Sequence, residues 1–248
     1  MSDLIAAEFL KMRTTRTFWW VAGLAIALSL LVTIITLATS TFEDAGDARS
    51  LVSNMGIPGL LMIVLGVVGA AGEYRHGTIT STFLLAPDRR RVLVAKAVAY
   101  AIGGVSVGVV SAALTLAISA PWLSAQGDSL SALGLDGGDL AEIVGGAVAY
   151  LAISGVLGVA VGALVINQVT AVVAVFILLF VVDPAVAALA HPYGKFSLQG
   201  LGTKLSGASG DNVGYELFPL GVAALVYLGY AVALLTATAA VVTRRDVT

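Results

Sequence analysis

Apolar residues in this chain occur in six long blocks that are separated by short polar segments. A bilayer core of about 30 Å needs about 20 consecutive apolar residues in a helix that rises 1.5 Å per residue. The blocks cover about residues 18–39, 51–72, 92–120, 140–166, 169–190 and 217–242. Each block reaches this length or comes close to it. The pattern therefore predicts an all-α membrane protein, one transmembrane domain over residues 1–248 with six membrane-spanning helices.

A shorter segment, about residues 2–16, precedes the first block and also has helical spacing. Its apolar positions are Leu4, Ile5, Phe9 and Met12, and its charged positions Glu8, Lys11 and Arg13 are predicted to lie elsewhere on the helix. An amphipathic helix of this kind lies in the headgroup plane of a membrane. The alternative is a cytoplasmic extension of the first spanning helix. Trp19 and Trp20 follow, as expected at a membrane interface.

The composition excludes a soluble protein. Hydrophobic residues make up 58% of the chain, charged residues only 11%, and soluble domains carry about 25% charged residues. A net charge of −2 gives no reason to expect a nucleic-acid partner. The absence of cysteine excludes disulfides, thiolate metal sites and a cysteine nucleophile.

Motifs that carry catalysis are also missing from the sequence. There is no GxxxxGK[ST] loop to hold ATP phosphates and no HExxH zinc motif. Ser154 does not stand in a GxSxG turn, and the predicted topology puts His76 and His191 on opposite sides of the membrane. We therefore expect a protein that is not an enzyme and that carries no cofactor or metal of its own.

The basic residues predict the orientation of the six helices. With both termini in the cytoplasm, ten of the thirteen lysines and arginines lie inside. The inner residues are Lys11, Arg13, Arg16, Arg75, Arg89, Arg90, Arg91, Lys96, Arg244 and Arg245, and the outer ones are Arg49, Lys195 and Lys204. This distribution follows the positive-inside rule.

The inner segment between the second and third helices, Gly72–Lys96, concentrates charge in an otherwise apolar chain. It reads GEYRHGTITSTFLLAPDRRRVLVAK. Its centre, 78–85, is predicted to form a short helix along the membrane surface, with Pro87 ending it and Asp88 capping the third spanning helix. A helix between charges of both signs indicates a docking element for a cytoplasmic partner. The alternative is a solvated loop that only sets the topology.

Apart from Lys96 and Glu142, which lie near the ends of their blocks, Asp183 is the only acidic or basic residue predicted within a spanning segment, and Pro184 follows it. Intramembrane charges are functional candidates by default. Asp is also a preferred N-cap, and Pro is favoured at the first helical position. Asp183 is therefore predicted either to cap a short outer helix that begins at Pro184 or to contact a substrate or proton directly.

Two pairs of glycines recur at a spacing of four residues within the spanning segments. They are Gly104 with Gly108 and Gly158 with Gly162. Small residues at this spacing let helix backbones approach closely in lipid. The pairs predict tight packing within one subunit or, alternatively, a homodimer contact.

Taken together, these segments resemble the membrane subunits of ABC-2-type ABC transporters, which include bacterial drug and peptide exporters. The likeness rests on the N-terminal helix ending in KMRTTRTFWW, on the charged segment Gly72–Lys96, on the basic tail TRRDV after six spans, and on the long outer segment Asp183–Glu216. It covers the whole chain, and the charged segment is its most specific part.

The resemblance implies a set of docking residues for a separate ATPase subunit. Those in the first inner segment are Glu73, Tyr74, Arg75, His76, Thr78, Thr80, Thr82, Pro87, Arg89 and Arg90, where a coupling helix is expected. A smaller second contact is implied at Asn167 and Gln168. It further implies two ATPase subunits that bind ATP and Mg²⁺, and a second permease subunit in a homodimer or heterodimer.

The function implied is the ATP-driven export of a drug, an antimicrobial peptide or a lipid across the bacterial cytoplasmic membrane. The scarcity of charge in the spans favours a substrate of apolar or amphipathic character. Two other functions remain open from the residues alone. One is a standalone channel or secondary carrier, although no internal repeat supports it. The other is a membrane scaffold or immunity protein that binds a toxin without moving it.

Overall fold

The computed structural model describes residues 1–40, 42, 47, 49, 51, 53, 56–86, 88–208 and 215–244, and these residues contain helices and no strands. The helices are α1 (Ser2–Thr14), α2 (Arg16–Thr39), α3 (Gly56–Arg75), α4 (Thr78–Leu85), α5 (Arg89–Gln126), α6 (Gly137–Val165), α7 (Gln168–Ile177), α8 (Asp183–Leu189), α9 (Leu198–Leu205) and α10 (Leu220–Arg244). Six of the described helical segments are long and apolar enough to cross a membrane: α2, α3, α5, α6, α10 and the run from α7 to α8. The predicted all-α fold with six membrane helices is confirmed.

The N-terminal segment forms a helix of its own and not an extension of the first spanning helix. Thr15 is extended, with φ −82° and ψ 122°, and separates α1 from α2. The indole nitrogen of Trp19 donates a hydrogen bond to the Arg13 carbonyl at 2.7 Å, which ties the two helices across this break. The predicted distribution of charge around α1 was wrong at one position, because Glu8 is buried on the same face as Met12, four residues later.

Helix α6 lies at the centre of the bundle and packs against α3, α5, α7, α9 and α10. Its glycines allow this, since a methyl group on Gly162 would lie 2.6 Å from the Val67 carbonyl oxygen of α3. A methyl group on Gly158 would overlap the Ile63 carbonyl of the same helix. The contacts are therefore between backbones, as small residues permit in lipid.

The second glycine pair lies on α5 and faces α6 from the other side. A methyl group on Gly104 would overlap the backbone of Leu151, and one on Gly108 would lie 3.0 Å from the Val148 Cα. All four predicted glycines are thus buried between helices of the same chain, which assigns them to packing within one subunit.

Two hydrogen bonds connect α6 to α10 inside the bundle. The hydroxyls of Ser154 and Tyr227 are 3.0 Å apart, and the Thr238 hydroxyl donates to the Ala160 carbonyl at 3.1 Å. Ser154 is therefore a buried packing residue whose hydroxyl is paired with a tyrosine. Such pairs satisfy polar groups that lipid cannot.

The fifth span is interrupted near its middle. A five-residue π-helix, Leu178–Val182, connects α7 to α8. Pro184 explains the irregular turn, because it has no backbone N–H to donate to a carbonyl in the preceding turn. The helix path nevertheless continues to Leu189.

The two ends of the bundle differ in charge. At one end, here called the basic end, α1, α4, the C-termini of α3 and α10 and the N-terminus of α5 lie together. The basic end carries Lys11, Arg13, Arg16, Arg75, Arg89, Arg90, Arg91, Lys96 and Arg244. Arg245 lies outside the described residues. The opposite end, here called the outer end, carries α8, α9 and the N-terminus of α6, where Asp136 accepts hydrogen bonds from the amides of Gly138 and Asp139.

The close approach of α6 to α3 predicts a large cost for a single methyl group. Gly158→Ala should lower the free energy of unfolding by about 2 kcal/mol, because the methyl group would force two backbones apart. Thermal unfolding of the purified protein in detergent measures this. The matched control is Gly145→Ala on the same helix, where nothing lies within 4 Å of the added carbon. Equal melting temperatures for the two variants would contradict the backbone contact.

Candidate functional site

The predicted surface helix is present between the second and third spans. Helix α4 covers Thr78–Leu85, the bounds predicted from the sequence. Gly77 precedes it with φ 67°, a left-handed conformation that ends α3 and lets the chain turn. Asp88 then caps α5, since its carboxylate accepts from the amides of Arg90 and Arg91 at 3.1 and 3.3 Å. Pro87 lies outside the described residues.

Helix α4 has one face against the bundle and one face open. Ile79 is buried, and the Thr82 hydroxyl accepts a hydrogen bond from Lys11 of α1 at 3.3 Å. Thr80 and Leu84, four residues apart, are exposed on the other side, and the Leu84 side chain is 79% exposed. Helix α4 therefore presents an exposed apolar side chain on the face that is not packed against the bundle.

The second predicted contact lies beside the first. Tyr74 and Arg75 at the end of α3 border one open groove of about 660 Å³ together with Asn167 and Gln168. The sequence interval between these two pairs is 92 positions, from Arg75 to Asn167, and it is closed because α3 and α6 run parallel, so that their C-termini lie at the same end of the bundle. The groove is therefore a single surface built from two segments that are far apart in the sequence.

The turn between α6 and α7 is strained. Ile166 has φ 56° and ψ −29°, and the Asn167 amide donates to the Val165 carbonyl at 2.7 Å across it. A β-branched residue with positive φ is a rare outlier, and such strain concentrates at functional sites. The Asn167 side chain compensates in part, because it caps α7 by accepting from the Thr170 amide at 3.0 Å.

Four charged side chains lie together behind α4 and are called the ion network here. They are Glu8 and Lys11 of α1, Glu73 of α3 and Lys96 of α5. The Lys96 ammonium donates to Glu8 and, at 3.0 Å, to Glu73. The Lys11 ammonium donates to Glu8 at 2.7 Å and to Glu73 at 3.1 Å. With the contact from Lys11 to Thr82, four helices meet at one set of charges.

The charges within this network are matched. Burial raises the pKa of Glu8, but the nearby charge of Lys96 and hydrogen bonds from Lys11 and Lys96 more than offset it, so the pKa of this carboxyl is lowered overall. Glu8 is therefore an anion at neutral pH. This allows a carboxylate to be buried on a helix that otherwise presents apolar side chains.

Other docking residues inferred from the resemblance have distinct positions. Glu73 belongs to the ion network and Thr82 contacts it through Lys11. Thr78 and the exposed His76 border a cavity beside the network. The Arg89 guanidinium donates to the Val242 carbonyl of α10 at 3.0 Å. Arg90 is exposed.

Asp183 lies at the outer end and is almost completely buried. Its carboxylate accepts from the Tyr193 hydroxyl at 3.0 Å and from the amides of Leu198 and Gln199 at 3.1 and 2.9 Å. The prediction that it caps a helix beginning at Pro184 was wrong, because Asp183 itself has helical dihedral angles. It satisfies the N-terminus of α9, which folds back onto it.

The Tyr193 phenol is the side-chain donor to this carboxylate. Burial, followed by the hydrogen bond to Asp183, raises the pKa of Tyr193 to about 12. The phenol is therefore neutral and remains a donor to Asp183 well above pH 10. The carboxylate at the outer end is thus bound to three donors of the chain itself.

Most of the chain matches a known protein family. A family model described as an ABC-2 family transporter protein matches residues 4–190, from α1 to the end of α8. The chain belongs to the ABC-2 transporter family. Among curated proteins, none matches it. Membership of this family and six membrane-crossing helices make it a multi-pass membrane protein of a transport family.

Sequence reasoning about this ABC-2 protein missed the ion network and the exposed Leu84. The spacing of Glu8 and Met12 could have predicted that Glu8 is buried, because residues four positions apart share a helix face. A second signal was Lys96, which lies within an apolar stretch where an unpaired cation would be costly. The partner of each charge was not visible, since Glu8 and Lys96 are 88 positions apart.

The lowered pKa of Glu8 predicts that acid releases α1 from the bundle. The stabilisation is present above the ordinary glutamate value of 4.5 and is lost as the pH falls through the lower value of the folded state. A nitroxide attached at exposed Ala7→Cys, in a chain without other cysteines, should become more mobile below pH 4.5. In a Glu8→Gln background its mobility should not change with pH over this range. A wild-type signal that stays flat down to the pH at which the whole chain unfolds would contradict the assignment.

The three hydrogen bonds to Asp183 predict its contribution to stability. Asp183→Ala should lower the free energy of unfolding by about 3 kcal/mol, because two amides and a phenol lose a charged acceptor. Tyr193→Phe removes one donor and should cost about 1 kcal/mol. Asp128→Ala, an exposed aspartate at the same end, is the control and should leave the melting temperature unchanged.

Proposed function

We propose that the chain is the membrane-spanning permease subunit of an ATP-driven exporter, and that a separate ATPase subunit docks on α4 and the adjoining groove. Membership of the ABC-2 family supports the transport role. The observation that carries the docking assignment is the open face of α4, on which Thr80 and Leu84 are exposed. The groove of Asn167 and Gln168 adds to it, because Tyr74 and Arg75 at the end of α3, just before α4, border the same groove.

The charge at the basic end supports the orientation. The described lysines and arginines at this end outnumber those at the outer end, and positive charge favours the cytoplasmic side. Helix α4 and the groove then face the cytoplasm, where ATP is available. In this orientation both termini are cytoplasmic, in the cytoplasmic membrane of a bacterium.

The connections of α4 support a role in transmission. Through Thr82 and Lys11 it is linked to the ion network, which joins α1, α3 and α5. A push on α4 by the ATPase therefore reaches two spanning helices through charged hydrogen bonds. A nucleotide-driven transporter requires an element of this kind, whose two states the ATPase can bias.

Two permease subunits, in a homodimer or heterodimer, and two ATPase subunits complete the proposed assembly, and ATP and Mg²⁺ bind to the ATPase. Helix α2 and the run from α7 to α8 leave large apolar side chains exposed, among them Leu31, Ile35, Val173 and Phe180. Lipid or the second permease subunit covers these faces. The substrate is an apolar or amphipathic molecule.

The docking assignment predicts the effect of one exposed leucine. Leu84→Ser should lower the recovery of the co-expressed ATPase in a tag pull-down about tenfold or more, because it removes an apolar anchor at the centre of the contact. The control is Leu189→Ser, an equally exposed leucine of the outer end. Both variants should insert and fold as the wild type does.

Two outcomes would overturn the proposal. If the wild-type chain, expressed with its neighbouring genes, retains no ATPase under ATP-trapping conditions, the exporter assignment fails. If the ATPase binds the wild type and Leu84→Ser equally well, the exporter assignment stands but the docking surface lies elsewhere.

A further inference from the structure

A cavity of about 600 Å³ opens at the basic end between α1, α2, α3, α4 and α5. Its lining includes the apolar side chains of Phe18, Leu65 and Val68. It also includes the ion network and the hydroxyl side chains of Thr78 and Thr82. Its size falls in the range of cavities that hold small amphipathic molecules.

The buried part of the ion network has a net negative charge. Glu8 and Glu73 contribute two carboxylates, and Lys96, whose side chain is 7% exposed, contributes one ammonium. The remaining charge is neutralised by Lys11, which lies at the mouth of the cavity with 46% of its side chain exposed. The structure thus contains a position for one further cation, and a half-exposed side chain occupies it.

One buried polar atom of a residue that lines this cavity has no hydrogen-bond partner among the described residues. It is the Oε2 atom of Glu73, which is buried and has no donor. Buried polar groups are nearly always paired, so this carboxylate oxygen offers an acceptor position to a donor that enters the cavity.

We propose that this cavity binds a cationic amphiphile, with an amine or guanidinium head that replaces the Lys11 ammonium on Glu8 and Glu73. Its apolar body lies against Phe18, Leu65 and Val68. The proposal names the substrate class of the exporter and rests on the proposed function for that role alone, since binding itself requires no ATPase.

The charges favour a cation over the other classes of head group. An anion would meet two carboxylates, and Lys11 already uses its donors on Glu8, Glu73 and Thr82. A neutral head would leave the net charge of the buried side chains uncompensated once it displaced Lys11. A cationic head restores neutrality, and its apolar body adds burial that Lys11 does not provide.

Occupancy of the cavity would also reach α4. When a ligand takes the place of the Lys11 ammonium, the hydrogen bond from Lys11 to Thr82 is lost with it. An amine head in the position of the Lys11 ammonium lies beside Thr82, which lines the same cavity, so the link from α4 to the ion network then runs through the ligand. Binding of a cation at this site is thereby communicated to the surface where the ATPase is proposed to dock.

Equilibrium binding of radiolabelled dodecylamine to the full chain in lipid nanodiscs tests the site, with empty nanodiscs subtracted for partitioning. Dodecanol and dodecanoate serve as neutral and anionic competitors of the same chain length. We expect saturable binding at one site per chain, with dodecanol and dodecanoate each competing about tenfold more weakly than unlabelled dodecylamine. Equal competition by dodecanol would overturn the proposal.

Two variants separate the ligand site from a purely structural ion network. Lys11→Gln should tighten dodecylamine binding about threefold to tenfold, because it removes a tethered competitor of high effective concentration. Glu73→Gln should weaken binding about tenfold. Lys195→Gln, at the outer end over the rings of Phe196 and Phe218, is the control and should change nothing.

The outcomes distinguish this inference from the proposed function. Weaker or unchanged binding in Lys11→Gln would overturn the site even if the ATPase copurifies. Saturable amine binding in a chain that recruits no ATPase would support the site and overturn only its role as an exporter site. If Glu73→Gln fails to fold, the competitor series and Lys11→Gln decide the question without it.

Discussion

The ammonium of Lys96 is buried between the carboxylates of Glu8 and Glu73, and the basic end of the bundle is arranged around that contact. A buried cation without partners would be very costly, so α1 and α3 must both supply a carboxylate to α5. This requirement places the N-terminal helix against α5 and directs Lys11 toward α4. The position of the docking helix therefore depends on charges that lie on three other helices.

The centre of the bundle is held by a different principle. Between α3, α5 and α6 the backbones approach so closely that a methyl group at Gly104 or Gly158 would overlap the neighbouring helix. Contact of this kind is rigid, because it leaves no side chain that can readjust. The ion network, in contrast, involves the half-exposed Lys11. A rigid centre with an adjustable basic end suits a protein whose conformation responds to events at that end.

Asp183 stabilises the outer end, because its carboxylate accepts hydrogen bonds from the first amides of α9 and from the phenol of Tyr193. Pro184 and the π-helix before it turn this carboxylate toward α9. The two membrane ends thus use buried carboxylates differently. At the outer end the donors to the carboxylate are neutral groups that are close to it in the sequence. At the basic end the donors are ammonium groups, and all the contacts except that of Lys11 with Glu8 join different helices.

The sequence by itself determined the local features of this protein. Six apolar blocks predicted six membrane helices, since lipid requires each spanning segment to satisfy its own backbone. The predicted bounds of α4, residues 78–85, match the structure to the residue, and Asp88 caps α5 as its position before that helix predicted. The family resemblance also came from sequence, and the family match over residues 4–190 confirms it.

Only the tertiary structure decided which distant residues meet. It placed Glu8 on the buried face of α1 and brought the groove residues of α3 together with Asn167. It also placed the Asp183 carboxylate against the N-terminal amides of α9 and not against those of its own helix. These outcomes depend on charge pairing and backbone contact between helices that are far apart in the chain. The period of a single helix carries no information about which helix supplies the partner, so the ion network and its cavity became visible only when the helices were packed.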